Sequence, residues 1–193
     1  MLSEVALPKS EGSLKIWTIG HGTRPVEELA SILGSAGVEL LIDVRAHPGS
    51  RRHPQFNRVA LENSLRKHGI AYQWEGEALG GFRRPRPNSR NTALRNESFR
   101  GYADYMESGG FAAGAGRLID RARETRLALM CAEHHPSRCH RLLISDWLAS
   151  RDVQVERLLD KHGGEPHTLT KGAVVAAGLV TYPGIAQARL DIA

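Results

Sequence analysis

The chain has 193 residues, of which 41% are hydrophobic and 24% charged, so it is long enough to bury a core, and this composition excludes a largely disordered protein. The formal net charge is +5, and because no run approaches the roughly 18 apolar residues of a membrane span, we expect no membrane partner. Residues 1–13 lack periodicity, an apolar segment and a small-residue cleavage site, which predicts a flexible leader and a cytoplasmic protein whose two cysteines stay reduced.

Short apolar runs alternate with segments of helical period in the first half of the chain. They predict strands over residues 14–19, 38–42 and 70–74, and helices over 25–34 and 58–68. A turn rich in proline and arginine, residues 47–56, separates the second strand from the second helix. Residues 76–97 have no usable period, so we predict a long functional loop there.

The second half continues the same alternation. It predicts helices over 99–106 and 111–123, a strand over 127–130, a helix from about Pro136 to 150, and a strand over 153–158. The pattern indicates a single three-layer α/β domain over residues 14–193, with a mostly parallel sheet of about five strands and helices on both faces. Ligands of such sheets bind outside the carboxyl ends of the strands.

Three polar turns are expected to meet at that edge, namely Gly20-His21-Gly22, Asp43-Val44-Arg45 and the segment that starts at Cys131. Imidazole titrates near neutral pH, so we predict that His21, together with Asp43 and Glu133, forms an acid/base set. A thiol at a strand end that faces a helix N-terminus has a lowered pKa, which makes Cys131 a candidate nucleophile. The alternatives are a His21 bonded to a neighbouring carbonyl and an Asp43 paired with an arginine.

Arginine supplies most of the positive charge. Of the 26 Lys and Arg residues 21 are Arg, and the segment from Arg45 to Arg100 holds twelve basic residues against four Glu, a local balance of +8. The planar guanidinium grips phosphate or carboxylate at two points, so this asymmetry indicates an anionic partner, although a solvated basic face would give the same count. The predicted ligand contacts are Arg45, Arg51, Arg52, Arg138, His140 and Arg141.

The segment CAEHHPSRCHR, residues 131–141, concentrates two thiols, three His, one Glu and two Arg. Cys131 and Arg138 enclose six residues, whereas comparable phosphatase and sulfurtransferase loops enclose five, which counts against an anion cradle around Cys131. Helical spacing predicts that Cys139 packs in the core, with His140 either a ligand contact or a buried imidazole. The spacing matches no standard zinc signature, so we assign no metal ligand.

The order of these motifs resembles the bacterial and archaeal domain-of-unknown-function family 488. The matching stretches are TIGHG at 18–22, DVRAHPGSRRHPQF at 43–56, LGG at 79–81, FRGYADYM at 99–106 and MCAEHHPSRCHRLLISDWL at 130–148, with a weaker match through HTLT at 167–170 and LVTYPG at 179–184. The resemblance implies a compact α/β fold and supports the motif positions as cleft residues, but it implies no reaction. This chain has Gly22, Ser137 and Arg157 where the family commonly has Ser, an aromatic residue and His.

The leading functional hypothesis is a small enzyme that binds a phosphorylated or nucleic-acid-derived anion in the cleft at the strand ends. One alternative is a nucleic-acid-binding module without chemistry, which would use the Arg-rich segment 45–100 and lose affinity steeply with salt. The third is a metal-dependent regulator. The sequence specifies neither a cofactor nor an oligomeric state.

Overall fold

The computed structural model describes residues 13–184, so all but the last residue of the predicted leader 1–13 lies outside the described residues. A six-stranded sheet forms the centre of the fold. Its strands are β1 (Lys15–Gly20), β2 (Leu40–Asp43), β3 (Ala71–Trp74), β4 (Leu127–Cys131), β5 (Gln154–Asp160) and β6 (Gly163–Pro166). The order across the sheet is β3-β2-β4-β1-β5-β6, and every neighbouring pair is parallel except β5 with β6.

Helices cover both faces of this sheet. They are α1 (Val26–Ser35), α2 (Arg58–Lys67), α3 (Gly76–Leu79), α4 (Glu97–Tyr105), α5 (Gly109–Glu124) and α6 (Arg141–Ala149). One core contains Leu29 and Leu61 from α1 and α2, whereas a second contains residues of α3 to α6, among them Tyr102 and Leu143. The prediction of a three-layer α/β fold with a mostly parallel sheet is therefore confirmed. Within residues 13–184, no helix combines the length and apolarity needed to cross a membrane.

Strand β4 shows why the central strands read as unbroken apolar runs. Leu127, Leu129 and Cys131 belong to the core beneath α3 to α6, whereas Ala128 and Met130 belong to the core beneath α1 and α2. Successive side chains of a strand point to opposite faces, and helices cover both faces here, so all five residues are buried. The same alternation sends the Cys131 side chain toward α6.

The chain leaves two adjacent strands in opposite directions, which opens a crevice between their ends. Helix α1 follows β1 on one face of the sheet and α6 follows β4 on the other. The His21 N–H donates to the carbonyl of Cys131 at 3.0 Å and the Gly22 N–H donates to that of Ala132 at 2.8 Å. The place where the chain leaves neighbouring strands toward opposite faces is a topological switch point, and ligands bind there in α/β sheets. The polar turns after β1 and β4 are joined at this point.

The helix predicted from Pro136 begins later than expected. Residues Pro136–Arg138 form a single 3₁₀ turn, and Cys139 is extended, with φ −132° and ψ 140°, before α6 starts at Arg141. Proline fits the first position of a short turn as well as that of a long helix, so the local signal is ambiguous. The prediction that Cys139 lies within the helix is wrong, although the residue is buried as expected.

Between residue 160 and residue 184, where the described part of the chain ends, lie three strands beyond the predicted five. Strand β6 has the sequence GGEP, and the hairpin of β7 (Val174–Ala176) and β8 (Leu179–Thr181) consists of two very short strands, so none carries a usable alternation. The fully buried Asp146 of α6 holds this region. Its carboxylate accepts from the Tyr182 hydroxyl at 2.6 Å and the Thr170 N–H at 2.9 Å, and His167 Nε2 lies 2.8 Å away.

Replacing Asp146 by Ala is expected to lower the free energy of unfolding by about 3 kcal/mol, because three buried polar groups would lose their shared acceptor. Urea denaturation followed by circular dichroism measures the change. The matched control is Asp120→Ala, since Asp120 is exposed and pairs only along the surface of α5 with Arg123. Equal effects of the two substitutions would contradict the role given to Asp146.

Candidate functional site

A cavity of about 440 Å³ lies at the carboxyl ends of β2 and β4. Its walls come from four parts of the chain that are distant in sequence, within residues 45–47, 81–82, 96–99 and 131–140. The first and last of these are the predicted polar turns after the two strands. The other two come from the long loop 76–97 and the start of α4, so the predicted loop contributes directly to the cavity.

Two sulfur atoms and an imidazole meet at this cavity. The Sγ atoms of Cys131 and Cys139 each lie 3.8 Å from His140 Nδ1, and the three atoms all lie within 4.8 Å of one another. The two cysteines are 7% and 2% exposed, and both line the cavity. The 3₁₀ turn at 136–138 brings Cys139 back to Cys131, because an uninterrupted helix would have carried it away.

Cys139 has more hydrogen-bond donors around its sulfur than a core cysteine needs. Its Sγ accepts from the Arg141 backbone N–H at 3.5 Å and from the Arg141 Nε at 3.4 Å. The backbone donor belongs to the first residue of α6, so the positive end of the helix dipole also faces the sulfur. An acceptor surrounded by such donors is stabilised as the thiolate.

The two thiols titrate as a pair. Burial opposes ionisation of Cys139, but hydrogen bonds from Cys131 and His140 and the charge of Arg141 lower its pKa well below the ordinary value. The pKa of Cys131 is raised well above the ordinary value, first by its hydrogen bond to Cys139 and then by burial. The opposite directions of the two shifts favour ionisation of Cys139, the sulfur that Arg141 contacts, over ionisation of Cys131.

His140 is oriented by a backbone carbonyl. Its Nε2 lies 3.2 Å from the carbonyl oxygen of Val44, which can only accept, so this nitrogen carries a hydrogen and donates. The Nδ1 atom consequently faces the two sulfurs. The ring packs 4.9 Å from that of Tyr102, which is fully buried. His140 is thus half-buried and fixed, with one nitrogen available to exchange a proton with the thiols.

Arg141 lies wholly inside the protein, with 1% of its surface exposed. Besides the sulfur of Cys139, its guanidinium binds the carbonyl oxygen of Glu133 through Nη2 at 2.6 Å. Gly20 makes room for this contact, because a Cβ at that position would collide with the Glu133 carbonyl and lie 2.7 Å from the guanidinium. The glycine that ends β1 is therefore a packing requirement of the site.

A second ion network holds the turn after β2. Arg45 donates through Nε and Nη2 to the fully buried Asp43 carboxylate, at 2.9 and 2.6 Å, and the Tyr72 hydroxyl donates to the same group at 2.7 Å. Arg45 Nη1 lies 3.2 Å from His21 Nε2, and His21 Nδ1 lies 2.9 Å from the Gly22 carbonyl. Both predicted alternatives are seen, a turn histidine bonded to a carbonyl and an aspartate paired with an arginine.

This network keeps His21 neutral. Burial lowers its pKa to about 4, with a further contribution from the charge of Arg45. Since the Gly22 carbonyl can only accept, Nδ1 carries the hydrogen, and Nε2 accepts from the guanidinium. His21 also stacks on Phe56, with ring centroids 4.0 Å apart. In this arrangement His21 and Asp43 position Arg45, which reaches the cavity wall.

The remaining predicted residues separate into two groups. Glu133 and Arg138 are exposed and line the cavity. Glu133 also lines a second, polar cavity of about 600 Å³, together with His21 and others. Arg51 and Arg52 are exposed on the turn 47–56 and line neither cavity. The structure thus gathers Cys131, Glu133, Arg138, His140 and Arg141 with Arg45, and leaves the two arginines of the turn outside.

Part of the basic charge in segment 45–100 is used within the protein. Arg86 pairs with Glu107 at 2.6 Å, and Arg83 donates to the carbonyls of Gly80 and Glu77. The guanidinium of Arg58 lies over the ring of Trp74. These contacts reduce the number of cations free to bind a polyanion.

The sulfur pair and His140 have the separations that a thiophilic cation such as Zn²⁺ would accept. The Arg141 guanidinium, however, already places a positive charge 3.4 Å from the Cys139 sulfur. That charge repels a metal ion and favours a free thiolate. The sequence does not predict the partnership of Cys139 with Cys131, and the one local signal for it is the arginine on each side of Cys139-His140.

A family model described as "Domain of unknown function DUF488" matches residues 25–148, well over half of the chain. No curated protein and no solved structure gives a significant match. The matched range contains the turn after β2, the loop that borders the cavity and the whole segment 131–141. The stretches TIGHG, HTLT and LVTYPG lie outside it.

The low pKa of His21 predicts that stability falls in mild acid. Between pH 6.5 and about 4 the unfolded chain binds a proton that the folded chain excludes. As the pH falls through this window, the free energy of unfolding of the wild type should therefore decrease by up to about 3 kcal/mol more than that of His21→Gln. Urea denaturation of both proteins across the window measures the difference. Identical pH profiles, or an NMR titration of His21 near 6.5, would contradict the buried, neutral histidine.

Proposed function

The chain belongs to the DUF488 family, described as a domain of unknown function, and from the chemistry of the cavity we propose that it is a thiol-dependent enzyme that acts on an anionic substrate. The observation that carries the proposal is the environment of the Cys139 sulfur. It accepts from two nitrogens of Arg141 and faces His140 and Cys131, at the wall of an open cavity.

The nucleophile in this proposal is the Cys139 thiolate. A thiolate attacks electrophilic centres far faster than a thiol, so a site that ionises its cysteine at neutral pH has an activated nucleophile. Arg141 supplies a compensating cation without occupying the cavity, since it lies behind the sulfur and is fully buried. The Cys131 sulfur lies within 4.8 Å of the Cys139 sulfur, and its thiol is assigned the role of a donor to the thiolate.

The proposed reaction is group transfer through a covalent cysteinyl intermediate. The sulfur forms a bond to the electrophilic atom of the substrate, and the leaving group departs with the bonding electron pair. His140, whose Nδ1 faces the sulfurs at 3.8 Å, is assigned to take up the Cys139 proton when the thiolate forms and to transfer it to that leaving group. Glu133, exposed in the cavity wall, is assigned the deprotonation of a water whose oxygen then bonds to the electrophilic atom. The bond to sulfur breaks, Cys139 leaves again as the thiolate, and the proton on Glu133 passes to solvent.

The substrate is proposed to be an anion because of the cations at the cavity. Arg138 is exposed there, and Arg45 reaches the wall with four of its hydrogen bonds directed to Asp43, His21 and Phe56. Arg45 is thereby held rigidly, so little rotamer entropy is lost when it contacts a ligand. Arg138, exposed in the wall of the same cavity, is proposed to make the second contact with the anion.

The thiolate can be measured directly. In the wild-type protein the ultraviolet absorbance of the thiolate should rise with a midpoint well below about 8.5, the pKa of a free cysteine. Cys131→Ser should keep a low midpoint, because Arg141 and His140 remain around Cys139. Cys139→Ser should remove it. Iodoacetamide labelling at neutral pH, mapped by mass spectrometry, should modify Cys139 in preference to Cys131.

The same titration separates the proposal from a metal site. Metal-stripped protein should give the same midpoint as untreated protein. If stoichiometric zinc protected both thiols from iodoacetamide, and only a chelator restored the labelling, the metal alternative would be favoured. A midpoint at or above that of free cysteine in the metal-stripped protein would refute the activated nucleophile.

Arg141 is expected to control the acidity of the thiol pair. Replacing it by Met should raise the midpoint of thiolate formation by about 1 to 3 pH units, because the cation and one donor to the sulfur are lost. Arg141→Lys should give a smaller rise, since the charge remains but the fork that reaches both Cys139 and Glu133 does not. Circular dichroism at each pH checks that the variants are folded, and Arg123→Met, at an exposed position of α5, is the matched control. An unchanged midpoint in both Arg141 variants would contradict this role.

A further inference from the structure

Phe82 stands at the rim of the cavity with 83% of its surface exposed. Its backbone has φ +64°, which lies in the left-handed region that residues other than glycine rarely adopt. Two unfavourable features therefore coincide at one residue, an aromatic ring in water and a strained backbone. Strain of this kind is concentrated at functional sites, where the surrounding structure maintains it.

The neighbouring residues hold Phe82 in this conformation. A Cβ on Gly80 would lie 2.7 Å from the Cα of Ala46, so the chain before Phe82 is pressed against the turn after β2. After it, Arg83 donates to the Gly80 carbonyl at 3.2 Å, and its guanidinium lies 3.9 Å from the centroid of the Tyr105 ring. The exposed ring is thus carried on an anchored loop.

The surroundings of the ring suit a flat ligand. The His47 ring lies nearly parallel to that of Phe82, with an interplanar angle of 27° and centroids 6.2 Å apart, and both line the cavity. Phe99 and Ala46 add apolar wall, while Arg138 supplies a cation. The volume of about 440 Å³ is that of a small-molecule site.

From this arrangement we infer that Phe82 is a stacking platform and that the substrate is an anion bearing a planar unsaturated ring, the class to which nucleoside monophosphates belong. The inference deepens the proposed function and rests on it for the reaction. The ring would lie on Phe82 at the rim, and its charged group would face Arg138 and Arg45. Phosphate alone would use the cations but leave the aromatic surface in water.

Binding of defined probes tests the inference. Equilibrium dialysis would compare AMP, GMP, CMP and UMP with ribose 5-phosphate and inorganic phosphate. Wild-type protein should bind at least one ring-bearing probe roughly five- to tenfold more tightly than ribose 5-phosphate, the gain expected from one stacked base. Phe82→Leu, which keeps apolar surface but removes the ring, and Phe82→Asn, which tolerates the backbone conformation, should both abolish this preference. Phe82→Tyr should retain it.

The control is Val59→Ala, which removes an exposed apolar side chain from α2, outside the cavity, and should leave every affinity unchanged. No preference for a ring in the wild type, or a preference that survives in Phe82→Leu, would overturn the inference. The thiolate midpoint is measured separately in each Phe82 variant and should not move. A ring preference that depends on Phe82 in a protein without an acidic thiol would overturn the proposed function and leave the binding site standing.

Discussion

Arg141 places a positive charge inside the protein at the start of α6, and the candidate site is organised around that charge. A buried guanidinium needs an anion and hydrogen-bond acceptors, because it has lost its hydration. Here the acceptors are the Glu133 carbonyl and the Cys139 sulfur, and the sulfur meets the need best when ionised. The same contact explains the glycine that ends β1, since any side chain at Gly20 would occupy the position of the Glu133 carbonyl. Packing and reactivity are therefore coupled at one residue.

The second ion network has a different role, although it adjoins the first where His140 Nε2 lies 3.2 Å from the Val44 carbonyl. Asp43 and Arg45 form a bidentate pair, and Tyr72 and His21 complete their hydrogen bonds. These side chains are hydrogen-bonded to one another, so none of them is free to act as an acid or a base. The lowered pKa of His21 keeps its ring neutral. We interpret this network as the support that holds a cation at the cavity wall, while the cysteines and His140 supply the chemistry of the proposal.

The topology brings these networks together. Strands β1 and β4 are neighbours, yet the chain leaves them toward opposite faces of the sheet, so a crevice opens above their ends, where the second cavity lies. The first cavity shares Ala132 and Glu133 with it and extends to the turn after β2. The loop after α3 closes another side of this first cavity and presents Phe82. The order of the strands places a cavity at this edge of the sheet, and the polar and apolar residues of the turns decide what it binds.

The fold class, the five parallel strands and the three polar turns at one edge of the sheet are predictable from the sequence alone, because periodicity and turn residues are local signals. The sequence also predicts Arg141, His140 and Cys131 as site residues, and the structure places the three close together. Three features are visible only in the folded protein: Cys139 lies beside Cys131, His21 and Asp43 position Arg45, and Arg51 and Arg52 lie outside the cavity. The pairing of β6 with β5 and of β7 with β8 is also visible only in the folded protein, because β6, β7 and β8 carry no alternation. The same holds for the exposure of Phe82. Each of these depends on contacts between residues distant in the chain, and burial and charge at such contacts outweigh local preference.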